Sequence, residues 1–243
     1  MHHVFIDDAA SRNIDNQFFI SSSIMIAPFL NENQQSNDAY VPSSETEWFM
    51  LKDDFVEKVS SFSNRIHIEE SQSSHPLLFR GGSIIPVVST DELPEILNTV
   101  TLRKAPISLW ILPGYERSAS GSLFYDDGES IDTIDREKYV LLDFKFDKCV
   151  LSFYVKHHGL TISEVESLFL KEILISLGKD LLTGVRTDNI VVNSNYKTHA
   201  IVDDKHNIRI EFDPLLNLIP SIIHTETITI LQQDINGTKC FML

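Results

Sequence analysis

Apolar and polar positions along this chain change over in short runs, not at helical spacing. Residues 107–112 (ISLWIL), 122–125, 139–146, 150–156, 172–177, 190–193, 199–202, 208–212 and 226–231 are β-branched or aromatic stretches at the interval expected of a sandwich. Earlier, RIHI at 65–68 alternates strictly, as a strand with one buried face does. Residues 4–6, 39–42, 48–51, 76–79 and 83–87 also read as strands, with Pro42 marking a strand end. Residues 17–30 read as a buried strand after a short helical turn, stopping at Pro28, and 31–38 and 69–75 as solvated loops. Gly81-Gly82 marks a sharp turn or a close backbone approach. Ser163 with Glu166 resembles a capping box, the best helix signal of the second half. Polar, Pro-bearing sequence at 89–94 marks a connector, which divides the chain into 1–88 and 89–243. With no repeat and no strand–helix alternation, the class is mainly β, as two antiparallel β-sandwich domains.

Composition narrows this little, but charge excludes partners. At 243 residues the chain can bury a proper core as one or two units. Its formal charge of −15 disfavours phosphate backbones and anionic lipid, so nucleic acid is not an expected partner. The longest apolar run is broken by Ser21, Ser22 and Ser23 and is too short to span a bilayer. The start, MHHVFIDD, lacks the basic and apolar regions of a signal peptide, and a soluble chain with no membrane insertion is expected. Cys149 and Cys240 read as two buried thiols, too few for a disulfide scaffold and without zinc spacing. Asn236-Gly237-Thr238 is a lone glycosylation sequon, a pattern that often arises by chance.

Four adjacent acid pairs invite a catalytic reading: Asp7-Asp8, Asp53-Asp54, Asp126-Asp127 and Asp203-Asp204. Paired carboxylates do the acid–base work of glycoside hydrolysis, but from different elements across a cleft. Neighbours on a strand point to opposite faces, so these pairs read as turn and loop residues. Asp126-Asp127-Gly128-Glu129 lacks the alternating oxygen ligands of a calcium loop. His2-His3 and His157-His158 lack the spacing of a metal site. Trp48, Trp110, Tyr40, Tyr115 and Tyr125 could stack on sugar, though aromatics in alternating strands usually belong to the core. No site emerges from the residues alone.

Two phrases carry more. RGGSIIPV at 80–87 followed by SGSLFYDDGESIDT at 120–133 resembles the C-terminal part of glycoside hydrolase family 31, the α-glucosidase family that includes maltase-glucoamylase and sucrase-isomaltase. Asp15-Asn16-Gln17-Phe18 leading to Ile24-Met25-Ile26-Ala27-Pro28 is similar to the family's D-x-Q-F … L-L-x-x-P. Ala39-Tyr40-Val41-Pro42 followed by Trp48 is similar to its A-Y-F-P … W-Y, and Tyr139 fits the tyrosine after the DDGES turn. The ordered likeness covers about 5–146 and continues more loosely as a β-rich tail. Ser21 stands for a usual glycine, Ile6 for a proline and Phe49 for a tyrosine.

The resemblance implies a proximal β-sandwich over 1–88 and a distal one over 89–243. In the family these follow a catalytic (β/α)8 barrel, which bears the aspartate nucleophile in a W-x-D-M-N-E-like motif and the aspartate acid/base. Neither Trp48 nor Trp110 is followed by that motif's acids. The resemblance therefore implies no catalytic, substrate-binding or metal residue and no cofactor, with the missing barrel as partner and carbohydrate as a second candidate partner. The implied function is the non-catalytic part of an α-glucosidase; the alternative is a stand-alone carbohydrate-binding or protein-interaction module. The resemblance leaves the compartment open. DDGES is expected to be a tight turn, with Gly128 placed for its backbone.

Overall fold

A computed structural model of the chain describes residues 1–42, 46–52, 55–69, 76–88, 98–178, 190–193, 196–204, 207–218, 227–234 and 237–240. In chain order the strands of the first part are β1 (Phe18–Phe19), β2 (Ile24–Ile26), β3 (Ser36–Tyr40), β4 (Trp48–Lys52), β5 (Phe55–Val59), β6 (Arg65–Glu69), β7 (Leu77–Arg80) and β8 (Ser83–Val88). After a short helix α1 (Thr99–Leu102) come β9 (Ile107–Leu112), β10 (Ser118–Tyr125), β11 (Val140–Asp147) and β12 (Val150–His158). The one-turn helix α2 (Ile162–Val165) then leads to β13 (Phe169–Ser176), β14 (Ile190–Asn193), β15 (Thr198–Val202), β16 (Asn207–Asn217), β17 (Thr227–Asp234) and β18 (Gly237–Lys239).

Among the described residues these strands make a five-stranded sheet, β1-β2-β7-β4-β5, a β3-β6 pair, and a large sheet ordered β14-β17-β12-β11-β10-β8-β9-β13-β16-β15 with β18 on β17. Pairing is antiparallel except for β8 with β10 and β9 with β13. One core gathers the inner faces of both halves of the large sheet, from Leu109, Ile111, Ile173 and Ile210 to Leu142, Phe144, Phe153 and Ile230. That sheet therefore folds over on itself as a sandwich.

The continuous apolar runs have a physical cause. Successive strand residues face opposite ways. In β4, Trp48 and Met50 point to a core shared with Ile66 and Ile68 of β6, while Phe49 points to a second core. Leu78 and Phe79 of β7 divide the same way. The second core holds Ile85 of β8 and Leu112 of β9, whose neighbours Ile84 and Ile111 belong to the core of the large sheet. Strands β8 and β9 are thus buried on both faces, as ISLWIL requires.

Several local expectations are corrected. Residues 4–6 form turns before a 3-10 helix at Ala10–Asn13. The stretch 17–30 is no single strand: Ser21 Oγ accepts the N–H groups of Ser23 and Ile24, both at 3.1 Å, and bends the chain between β1 and β2. The polar residues before Ala39 already belong to β3, paired with β6 from Ser36 opposite Glu69. The capping box lies two residues upstream of Ser163 and Glu166, where Glu164 accepts the Thr161 N–H at 2.6 Å. Cys149 and Cys240 are not free thiols but one disulfide, with Cα atoms 5.8 Å apart.

Candidate functional site

The two distinctive phrases touch. Ser83 of β8 pairs with Ser120 of β10, and the Ser120 N–H donates to the Gly82 carbonyl at 3.0 Å. Gly82 donates to the Leu112 carbonyl at 2.8 Å and Gly81 to Glu47 at 2.7 Å, fixing the turn between β7 and β8. Opposite it, Gly121 brings β10 against β8 so closely that a β-carbon there would stand 2.0 Å from the Ile84 carbonyl oxygen. Only glycine fits that crossing.

Beside this joint lies an open cleft of about 1130 Å³. One wall is the serine bend at 21–24 with the 80–82 turn, and the other is the outer face of β10, β11 and β12. Register lays Ser122, Asp143 and Tyr154 side by side across these three strands. Ser122 Oγ donates to Asp143 Oδ1 at 2.9 Å, and Lys156 Nζ stands 3.5 Å from Asp143 Oδ2. Tyr154 is 38% exposed. The hydroxyls, the carboxylate–ammonium pair and one open ring suit a neutral, hydroxyl-rich ligand. Sequence reading missed this row, because only the pairing register brings residues distant along the chain into one line. Its signal is the outward alternation of Ser, Asp and Lys in 118–122, 143–145 and 154–156.

Strands β10 and β11 pair from Ser118 opposite Asp147 to Tyr125 opposite Val140, so the hairpin exists, but its connection spans 126–139 and is no tight turn. Within it Asp126 Oδ1 accepts the Gly128 N–H at 2.9 Å and Oδ2 the Thr133 hydroxyl at 3.2 Å. Asp127 accepts the N–H groups of Glu129 and Ser130 and the Ser130 hydroxyl. The Ser130 hydroxyl and these backbone donors hold its carboxyl down at about 2. Gly128 has φ +73°, as its place in the phrase implied. The Arg103 guanidinium lies 4.6 Å from the centre of the buried Tyr125 ring and anchors the loop's base.

The other acid pairs are likewise structural where described. Asp8 accepts the Ser11 N–H at 2.9 Å and the Tyr40 hydroxyl at 3.0 Å; burial, then this carboxylate, push the Tyr40 hydroxyl up. Asp203 accepts from Asn207 at 2.9 Å and from Arg209 Nε at 3.2 Å, and Arg209 also pairs with Glu172 at 3.2 Å. Burial works against the charged guanidinium, but Glu172 and Asp203 together outweigh it and hold Arg209 above its ordinary value. Asp53-Asp54 lies outside the described residues. His2 and His3 are exposed, and His157 stacks on Tyr139, which stacks on Phe124, at 4.1 and 4.9 Å. That column turns its ring faces to one another. Trp48, Tyr40 and Tyr125 are buried, Trp110 packs edge-on to Phe79, and Tyr115 alone of the five stands well exposed. Among the described residues no three acids, histidines or cysteines group as metal ligands.

Comparisons with known proteins cover most of the chain. Residues 1–85 match the sequence pattern of the glycosyl hydrolase family 31 C-terminal domain, a match that ends inside β8. A probable alpha/beta-glucosidase of Aspergillus flavus is 32% identical over 170 residues, 69% of this chain and 18% of that protein. Human intestinal sucrase-isomaltase is 26% identical over 89% of this chain and 11% of its own length. The chain thus spans less than a fifth of these relatives. The crystal structure of a glucosidase II alpha subunit covers 94% of the chain at a TM-score of 0.72 and 19% identity, with 25% of that subunit matched. A Flavobacterium johnsoniae family 31 dextranase covers 93% at 0.63 and 15% identity.

Proposed function

Because this chain belongs to glycosyl hydrolase family 31, as its C-terminal β region, we propose that it is the non-catalytic support of an α-glucosidase. The whole enzyme would hydrolyse terminal α-linked glucose with retention, using two barrel aspartates as nucleophile and acid/base. This chain's part is to cover and steady the barrel. The observation that carries the reading is how its candidate acids are used: Asp8, Asp126, Asp127 and Asp203 accept backbone, hydroxyl and guanidinium donors that build the fold. We take 1–88 and 89–243 as its two units, with β8 the strand that the first contributes to the sheet of the second. The purified chain should not hydrolyse maltose or nitrophenyl α-glucoside. Turnover abolished by replacing one of those aspartates with alanine would overturn the proposal.

The cleft supports a second reading, that the chain holds carbohydrate. Its Ser122, Asp143, Lys156 and Tyr154 offer donors, an acceptor and a ring to a sugar's hydroxyls and apolar face. Titration with maltotriose, followed by amide chemical shifts, should move signals of β10–β12. The shifts should vanish in Tyr154→Ala and Asp143→Ala; shifts equal in both variants, or none in the parent chain, would remove this reading.

A further inference from the structure

The β11–β12 hairpin closes from Asp147 opposite Val150, so Lys148 and Cys149 are its two turn residues, with φ of +44° and +76°. A turn with both central residues left-handed is normally served by Asn-Gly, because the Cβ of most residues is strained there while Gly lacks one and Asn tolerates the conformation. Cys149 nevertheless occupies such a position, fully buried, with its carbonyl accepting the Ile230 N–H at 2.8 Å. A cysteine kept only as a small apolar filler has no reason to sit at a strained corner. Here the corner aims its sulfur at Cys240, whose Cα is 5.8 Å away, within the range a disulfide spans. The chain has two cysteines, 91 residues apart, and they meet each other.

We propose that the Cys149–Cys240 bond is an oxidative modification built into this fold, and that the chain matures in an oxidising lumenal or extracellular compartment. Disulfides of this structural kind persist there and are rare where thiol reductants dominate. In forming it, both thiols lose a proton and together two electrons. One sulfur attacks the disulfide of an oxidoreductase, and the second displaces that enzyme as its dithiol, leaving one new S–S bond. The bond ties the hairpin corner to the residue that follows β18, the strand that pairs with β17. The sequon Asn236-Gly237-Thr238 ends two residues before Cys240, and where such a sequon is used it is modified in the secretory lumen.

Protein taken from its own cells tests this. Cells are treated with N-ethylmaleimide before lysis, and the chain is digested without reductant and mapped by mass. The expected result is one linked species joining the peptides of Cys149 and Cys240, which separates on reduction. Recovery of both peptides chiefly as maleimide adducts would overturn the proposal. As a second measurement, the chain is refolded from the reduced, denatured state in a glutathione couple. It should regain the same linked species, with the unfolding midpoint falling when reductant is added. A midpoint unchanged by reduction would also overturn it.

Discussion

Replacing Gly121 with alanine places a methyl group where the Ile84 carbonyl already stands. The new carbon would lie 2.0 Å from that oxygen, 2.9 Å from its carbon and 3.0 Å from the Ile84 Cβ, against the 3.4 Å or more of ordinary contact. The obstacle is backbone in a strand buried on both faces, so no side-chain rotation relieves it. Either β10 or β8 must move by about an ångström, a small-to-large change of the kind that costs roughly 1–3 kcal/mol. Movement also loosens the hydrogen bond from Ser120 to Gly82, worth about 1 kcal/mol. The sum is about 2–4 kcal/mol, which lowers the melting temperature of a chain this size by roughly 4–16 °C. Gly128→Ala is the comparison: φ is +73°, but the nearest obstacle is the flexible Arg103 stem at 2.8 Å, so strain alone of about 1 kcal/mol is expected. Urea unfolding followed by the fluorescence of Trp48 and Trp110, one on each side of β4's sheet, measures both variants. A Gly121→Ala midpoint within 0.5 kcal/mol of the parent (~ the scatter of neutral surface changes) or a larger loss for Gly128→Ala would refute the packing argument.

Other outcomes follow from the same contacts. Asp127, held at about 2 by the Ser130 hydroxyl and backbone donors, has a folded value below the ordinary carboxylate one, so its contribution is complete above pH ~4 and lost as pH falls towards 2. A carboxyl carbon titration by NMR should show that low midpoint, and Asp127→Asn should flatten the fall in melting temperature across that window. Arg209→Met leaves Glu172 and Asp203 facing each other half-buried and should cost about 2–3 kcal/mol, largely recovered when Glu172→Gln is added; a double-mutant cycle in urea checks this. Joint replacement of Cys149 and Cys240 by serine releases a loop of 91 residues, with an expected loss of about 4 kcal/mol in the same assay.

Strand identity was legible where an uninterrupted apolar run faced one core or two. Residues 107–112 and 190–193 match β9 and β14, because hydrophobic pattern alone decides such segments. What failed was decided by side chains bonding to their own backbone. The Ser21 hydroxyl splits an apolar run that reads as one strand, and Glu164 moves a cap two residues upstream of its apparent place. β5 at Phe55–Val59 went unread because Glu57 and Lys58 interrupt its pattern; each forms an ion pair, Glu57 with Lys52 and Lys58 with Glu47. The disulfide was illegible because spacing says nothing of which corners meet in space. The Ser122–Asp143–Tyr154 row was hidden for the same reason: register, not composition, assembles it.

The place of β8 also sets an order in time. A chain emerging at about 5–20 residues per second can close β1, β2, β4, β5 and β7 into their sheet once Arg80 is out. β8 then waits for β9 and for the Gly121 crossing, some thirty residues of synthesis later by sequence count. β9 in turn keeps an unpaired edge until β13 arrives to lie parallel to it, ending at Ser176. Until then the nascent chain exposes an apolar strand edge that invites a neighbour's strand. The segment from Ser83 to Ser176 is therefore the stretch of translation during which this protein most needs shielding.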